Sequence, residues 1–224
     1  MSKLNLLTGT LLKEIIESPI NGEITVIKSV AFGTYLSVGN LTQSGGILQE
    51  IWKKTLRKIR NYKLPARNTT RSVAGGEISN CLILGLGGGS VAKVIRKYWP
   101  VAKITGVDID PKMVEMGKKY LGLGELGVKV VISDAEKFLA TKSKFDLICI
   151  DLYLGDKYPD KFEKEQFIKL VKKTLSPKGI AVFNRLYYGE KRKEAALFGE
   201  KLKKHFYKVD WFFPEANLML ICRS

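Results

Sequence analysis

An apolar run, Cys81-Leu82-Ile83-Leu84, empties into Gly85-Leu86-Gly87-Gly88-Gly89-Ser90, and a second apolar run from Ile104 ends on Asp108. Few folds accept that order of strand, glycine turn, helix, strand and acid; it is the opening unit of a doubly wound α/β sheet. Glycines in the turn place no side chain between the backbone and a ligand, so bare N–H groups and a helix N-terminus are expected there. Asp108 lies 21 residues after Gly87, where a carboxylate ending the second strand accepts from ribose hydroxyls. The strict G-x-G-x-x-G spacing fails at Ser90, so the nicotinamide and flavin fingerprint is only partly met. The loop and the acid together predict a nucleoside pocket.

Downstream the alternation continues. Strands are expected at Ile78 to Leu84, Lys103 to Val107, Val128 to Ile132, Phe145 to Ile150 and Gly179 to Phe183, all apolar runs of the kind buried on both faces. Helical spacing separates them over Val91 to Tyr98, Pro111 to Leu121, Ala135 to Thr141, Phe162 to Leu175 and Glu190 to His205. Asp110 is placed to cap the second of these helices, with Pro111 in its first turn. A hairpin of Tyr207 to Phe213 and Leu218 to Cys222 follows. Such a sheet carries its ligand groups above the strand C-termini, which brings Gly85, Gly87, Asp108, Asp134 and Asp151 to one crevice.

Residues 1–75 read as a small N-terminal appendage. It comprises a helix over Leu4 to Glu17, a hairpin of Glu23 to Ala31 and Thr34 to Val38, and a second helix. The stripe Ile47, Leu48, Ile51, Trp52, Leu56 and Ile59 on that second helix reads as core. A polar loop from Asn61 to Gly76 joins the appendage to the main domain, residues 76–224.

Composition closes several alternatives. Cys81, Cys149 and Cys222 sit in apolar strand-like runs without CxxC spacing, and the single histidine, His205, lies in a lysine-rich helical stretch. The thiols are read as reduced core residues, His205 as a surface or helix-end residue, and no metal site or histidine-based triad is expected. No stretch reaches the ~20 apolar residues of a membrane span, and Leu4 to Ile16 lacks the pattern of a signal peptide. A cytoplasmic protein with no membrane partner is expected, and a homodimer is allowed. Lys and Arg number 38 against 22 Asp and Glu, a net charge of +16. Nucleic acid would find Lys53, Lys54, Arg57 and Lys58, then Lys201, Lys203 and Lys204, but no nucleic-acid motif accompanies them and solvated lysine faces are the simpler account.

The segments LILGLGGGS, VDIDPKMVEMGKKYL, VISDAEKFL and FDLICIDLYLGD, with a hairpin and LTQSGGILQEIW ahead of them, resemble the class I S-adenosylmethionine-dependent transferases. Within these the chain is similar to the spermidine synthase-like family. The resemblance implies a Rossmann-like class I methyltransferase sheet, parallel with a C-terminal antiparallel hairpin, behind a small N-terminal helix and β-hairpin domain. It implies S-adenosylmethionine or decarboxylated S-adenosylmethionine as cofactor. Gly85, Leu86, Gly87, Gly88 and Gly89 would then cradle its amino-acid or aminopropyl part. Asp108 with Ile109 would hold the ribose, Asp134 with Ala135 would meet the adenine, and Asp151 would lie near the sulfonium. Gln43 would look into the site from the hairpin domain.

Two departures set the chain apart from polyamine aminopropyltransferases, which resemble one another in a GGGDGG loop and a D-S/T-x-D motif. Gly88 replaces the aspartate of the first, and Leu154 the second aspartate of the other. Those carboxylates hold the aminopropyl amine and help deprotonate a polycationic acceptor. Without them the chain resembles the methyltransferase-type branch, with Asp151 and Tyr153 as candidate catalytic residues and Asn184 and Tyr187 as acceptor contacts. Methyl transfer to an unknown small-molecule or macromolecular acceptor is the leading expectation. Aminopropyl transfer in polyamine synthesis and a non-catalytic nucleoside- or partner-binding relative are the alternatives.

Overall fold

The computed structural model describes residues 4–5, 9–39, 41–62, 78–140 and 143–224. Its N-terminal sheet is an antiparallel meander of β1 (Leu4–Asn5), β2 (Thr10–Ser18), β3 (Gly22–Ser29), β4 (Gly33–Val38) and β5 (Leu41–Gly45). The helix expected over Leu4 to Glu17 is therefore wrong: its described residues Leu4–Asn5 and Thr10–Glu17 lie in strands. From Leu12 to Ser18 exposure alternates residue by residue, the period of a pleated chain, and Ile15 and Ile16 pair with Thr25 and Ile24 of β3. The same residues fit helical spacing, and the partner strand decides between the two.

Helix α1 (Gly46–Arg60) follows and buries the expected stripe of Ile51, Trp52, Leu56 and Ile59. The expected loop of Asn61 to Gly76 and the boundary at residues 75 and 76 lie outside the described residues from 63 onward. Beyond them come β6 (Asn80–Leu84), α2 (Ser90–Tyr98), β7 (Lys103–Asp108), α3 (Pro111–Leu121), β8 (Val128–Ile132) and α4 (Ala135–Leu139). Next are β9 (Phe145–Ile150), α5 (Glu165–Thr174), β10 (Leu175–Leu186), α6 (Lys191–Lys203), β11 (Lys208–Phe212) and β12 (Asn217–Arg223). The helix expected from Phe162 to Leu175 is split: Asp160–Glu163 form a 3-10 turn, α5 starts at Glu165, and Leu175 already pairs with Phe145.

Seven strands make the main sheet in the order β11-β12-β10-β9-β6-β7-β8. Strands β6 to β10 run parallel and the β11–β12 hairpin joins antiparallel to β10. Alternation along each buried strand sends its side chains to two cores. Cys81 and Ile83, Leu147 and Cys149, and Ile180 and Val182 pack with α1 and α2. Leu82 and Leu84, Ile148 and Ile150, and Ala181 and Phe183 pack with α5 and α6. All twelve are fully enclosed, and each large aliphatic or aromatic side chain so withdrawn contributes ~1.5–3 kcal/mol. The three thiols lie inside these layers and are unpaired. His205 falls just past the end of α6, its N–H donating to the Leu202 carbonyl at 2.9 Å.

A third, smaller core fixes the N-terminal sheet over the crevice. Ile24, Val26 and Leu36 meet Met113 and Met116 of α3. Among the described residues no helix is long and apolar enough to cross a membrane.

Candidate active site

Winding reverses between β6 and β9: β7 and β8 lie to one side of β6, β9 and β10 to the other. Strand ends part at such a reversal and leave room for a ligand. Here a cavity of about 560 Å³ opens, lined by Gly85, Gly87, Asp108, Ile109, Ser133, Asp134, Ala135 and Asp151 on the sheet side. The expected crevice residues are thus brought together. Gly85 sits at φ +84°, and a Cβ there would fall 2.1 Å from the Asp151 carbonyl oxygen, while the Asp151 N–H donates to the Leu84 carbonyl at 2.8 Å. Only glycine lets the two strand ends stay this close.

The glycine loop differs from expectation. Four of its N–H groups are spent on its own surroundings: Gly85 and Leu86 donate to the Val107 carbonyl and Gly89 to that of Leu86, and Gly87 donates to Asp108 Oδ2 at 2.6 Å. Leu86 is buried beneath the sheet end, and neither it nor Gly88 nor Gly89 lines the cavity. A Cβ on Gly88 would meet Leu121 Cδ1 at 2.7 Å, Leu36 Cδ1 at 2.9 Å and Ser44 Cβ at 3.0 Å. Gly117 of α3 packs on the Gly88 backbone, so a Cβ on Gly117 would stand 2.5 Å from the Gly88 Cα. This part of the run lets α3 pack closely on the loop.

Asp108 is fixed from both sides, since the Asp110 N–H donates to its Oδ1 at 2.9 Å. Each oxygen keeps a further lone pair. Burial pushes its pKa up, against the opposing pull of the Asp110 and Gly87 N–H groups. Asp134 caps α4, accepting from the Glu136 and Lys137 N–H groups at 2.9 and 3.2 Å, and its Oδ2 pairs with Lys161. Burial would raise the Asp134 pKa, but Lys161 and the helix N–H groups outweigh it and hold the carboxyl below its usual range.

Asp151 is the deepest acid of the site. Trp52 of α1 donates its indole N–H to Oδ2 at 2.8 Å, and Asn184 of β10 donates to Oδ1 at 2.8 Å. Asn217 of β12 in turn donates to Asn184 Oδ1 at 2.7 Å. All the donors are neutral, so burial prevails and the Asp151 pKa is raised, with Trp52 and Asn184 opposing. The Tyr153 ring lines the cavity, but its hydroxyl accepts from the Leu186 N–H at 2.7 Å and donates to the Asn184 carbonyl at 3.4 Å. Burial raises its pKa, so it is no ready proton donor to a substrate.

Gln43 lines the cavity and donates to the Gly155 carbonyl at 2.8 Å. Tyr187, expected as an acceptor contact, does not line it; its ring lies against Phe213, and Tyr188 faces the cavity instead. Trp52 and Asn217 are site residues that sequence reasoning assigned to core and to a hairpin. The one signal for Trp52 was chemical: an indole N–H in a buried stripe needs an acceptor.

The sequence profile of the spermine/spermidine synthase domain matches residues 70–213. The polyamine aminopropyltransferase of Chromobacterium violaceum is 34% identical over 128 residues, 56% of this chain and 48% of that protein. Human eEF1A lysine and N-terminal methyltransferase is 28% identical over 156 residues, 63% of this chain and 22% of that protein. The chain therefore spans half or less of the length of these curated relatives. Among solved structures, spermidine synthase in complex with the transition state analogue AdoDATO superposes with a TM-score of 0.76 at 16% identity, covering 95% of this chain and 73% of that one. The chain belongs to the spermine/spermidine synthase domain family.

Proposed function

We propose that the chain is an S-adenosylmethionine-dependent methyltransferase. The observation that carries this reading is that every carboxylate lining the cavity is already engaged. Asp108 is held by the backbone, Asp134 by α4 and Lys161, Asp151 by Trp52 and Asn184, and Glu215 at the rim pairs with Lys54. Position 154 is leucine, and position 88 faces Leu36, Ser44 and Leu121. Asp156 pairs with Lys191 and, like Asp160, does not line the cavity. With Asp134 and Glu215 neutralised by lysines and Asp108 taken by the ribose, a polycationic acceptor would lose its hydration here against Asp151 alone, and each cationic centre left without a counter-charge costs several kcal/mol.

The donor set fits a nucleoside. Asp108 offers two fixed carboxylate oxygens for ribose hydroxyls, and Ile109, Met113 and Ala135 give the apolar walls a base requires. Bound there, S-adenosylmethionine supplies a methyl group already activated by its sulfonium. What remains for the chain is to hold an acceptor in line, which supplies up to ~7–11 kcal/mol of barrier lowering, and to take up a proton. Asp151 suits the proton uptake, because burial raises its pKa toward the working range of a general base.

Mass spectrometry of the purified chain with S-adenosylmethionine, decarboxylated S-adenosylmethionine and putrescine tests the reading. No spermidine is expected. Spermidine formed at enzymatic turnover would replace this reading with aminopropyl transfer.

A further inference from the structure

We infer that the β2–β3 turn, Pro19-Ile20-Asn21, is a wall of the nucleoside half of the cavity held in place by Asp110, which makes Ser18 and Asn21 positioning residues for cofactor binding. The inference rests on the nucleoside reading of Asp108.

Asp110 is fully buried, and among the described residues none of its partners is a cation. Oδ1 accepts from the Lys112 and Met113 N–H groups at the start of α3, at 2.8 and 3.4 Å. Oδ2 accepts from the Ser18 hydroxyl and the Asn21 side-chain amide, both at 2.6 Å. A buried carboxylate is tolerated only when its lone pairs are met. The helix N-terminus meets half of them, and the turn supplies the other half. Lifting the turn would leave Oδ2 stranded.

Ser18 also organises the turn itself, accepting from the Ile20 and Asn21 N–H groups at 3.0 and 3.2 Å. Pro19, Ile20 and Asn21 line the cavity beside Asp108, Ile109 and Met113. Ile20 is 39% exposed there, apolar surface that a bound nucleoside would cover. Through its N–H, Asp110 also orients Asp108. One buried residue therefore sets both the acid that takes the ribose and the wall that faces it.

A second tie between the same elements separates this local role from general docking of the N-terminal sheet. Glu14 of β2 accepts from Lys119 and Tyr120 of α3, and none of the three lines the cavity. The test is calorimetric titration of the full chain with methylthioadenosine, with folding of each variant followed by thermal melting. Asn21→Ala should weaken binding about tenfold, the scale of one lost positioning hydrogen bond. Ile20→Gly, which keeps the clamp and removes the wall, should weaken it similarly. Glu14→Gln should bind within twofold of the wild type, and S-adenosylmethionine should lose the same factors. Binding by Asn21→Ala or Ile20→Gly within twofold of the wild type overturns the inference, as does an equal loss in Glu14→Gln. A wild type that takes no methylthioadenosine instead overturns the nucleoside reading beneath it.

Discussion

Trp52→Phe should destabilise the fold by about 1.5–3 kcal/mol at neutral pH and by less in acid. Trp52 is fully buried, so phenylalanine keeps most of the apolar contact and removes the indole N–H that donates to Asp151 Oδ2 at 2.8 Å. A bond to an ionised group contributes ~1.5–3 kcal/mol and a neutral pair ~0.5–1.5. Burial already holds the Asp151 pKa above its ordinary value against the pull of Trp52 and Asn184, and loss of Trp52 lets it climb further. An acid with a raised folded pKa binds more protons folded than unfolded. The stability it contributes is complete below its unfolded pKa, ~3.9, and declines as pH rises toward the folded value. In the variant that decline runs further, so the gap to the wild type widens with pH and is largest above both folded pKa values. The smaller ring adds a cost that does not vary with pH. Urea unfolding at a series of pH values from about 4 to 8 measures both parts. A gap that is the same at every pH would mean that only volume was lost, and a gap widening in acid would refute the assignment of the bond to an ionisable Asp151.

Strands buried on both faces were legible because their composition is enough: Cys81 to Leu84 is apolar throughout, and Phe145 to Ile150 is apolar but for Asp146. Strand β2 was not, since its residues satisfy two periods and only pairing with β3 selects one. The register shift between Leu175 and Ile180 hid the start of β10 in the same way, because the pairing of Leu175 with Phe145 is not visible locally. In the site, Asp108, Asp134 and Asp151 could be placed from sequence because topology alone sends strand ends to one edge. Trp52, Asn217 and the Ser18, Asn21 and Asp110 group could not, since they act only once α1, β12 and the β2–β3 turn are packed around the crevice. The glycine run was half legible. Its conformational freedom was evident, but the N–H groups of Gly85, Leu86 and Gly87 turn inward, which depends on where Val107 and Asp108 stand.

Asp108→Ala should weaken methylthioadenosine binding by about 1.5–3 kcal/mol and lower the melting temperature, because Gly87 and Asp110 lose their acceptor; unchanged affinity in the calorimeter would remove the nucleoside reading. Cys81, whose pKa burial pushes up to about 12, and the equally enclosed Cys149 and Cys222 should all resist a thiol reagent until urea unfolds the chain, and native labelling of any of them would refute the packing. Gly88→Asp restores the family's aspartate in sequence but not in space. Its Cβ would press on Leu121, Leu36 and Ser44 at 2.7–3.0 Å, and its carboxylate would start wedged between two leucine side chains, a burial that costs several kcal/mol. At about 2–4 °C per kcal/mol for a chain of this size, the melting temperature should fall by roughly 10 °C, and decarboxylated S-adenosylmethionine with putrescine should still give no spermidine. A well-folded Gly88→Asp that formed spermidine would show that the loop opens to the cavity, and that this one position selects the group transferred.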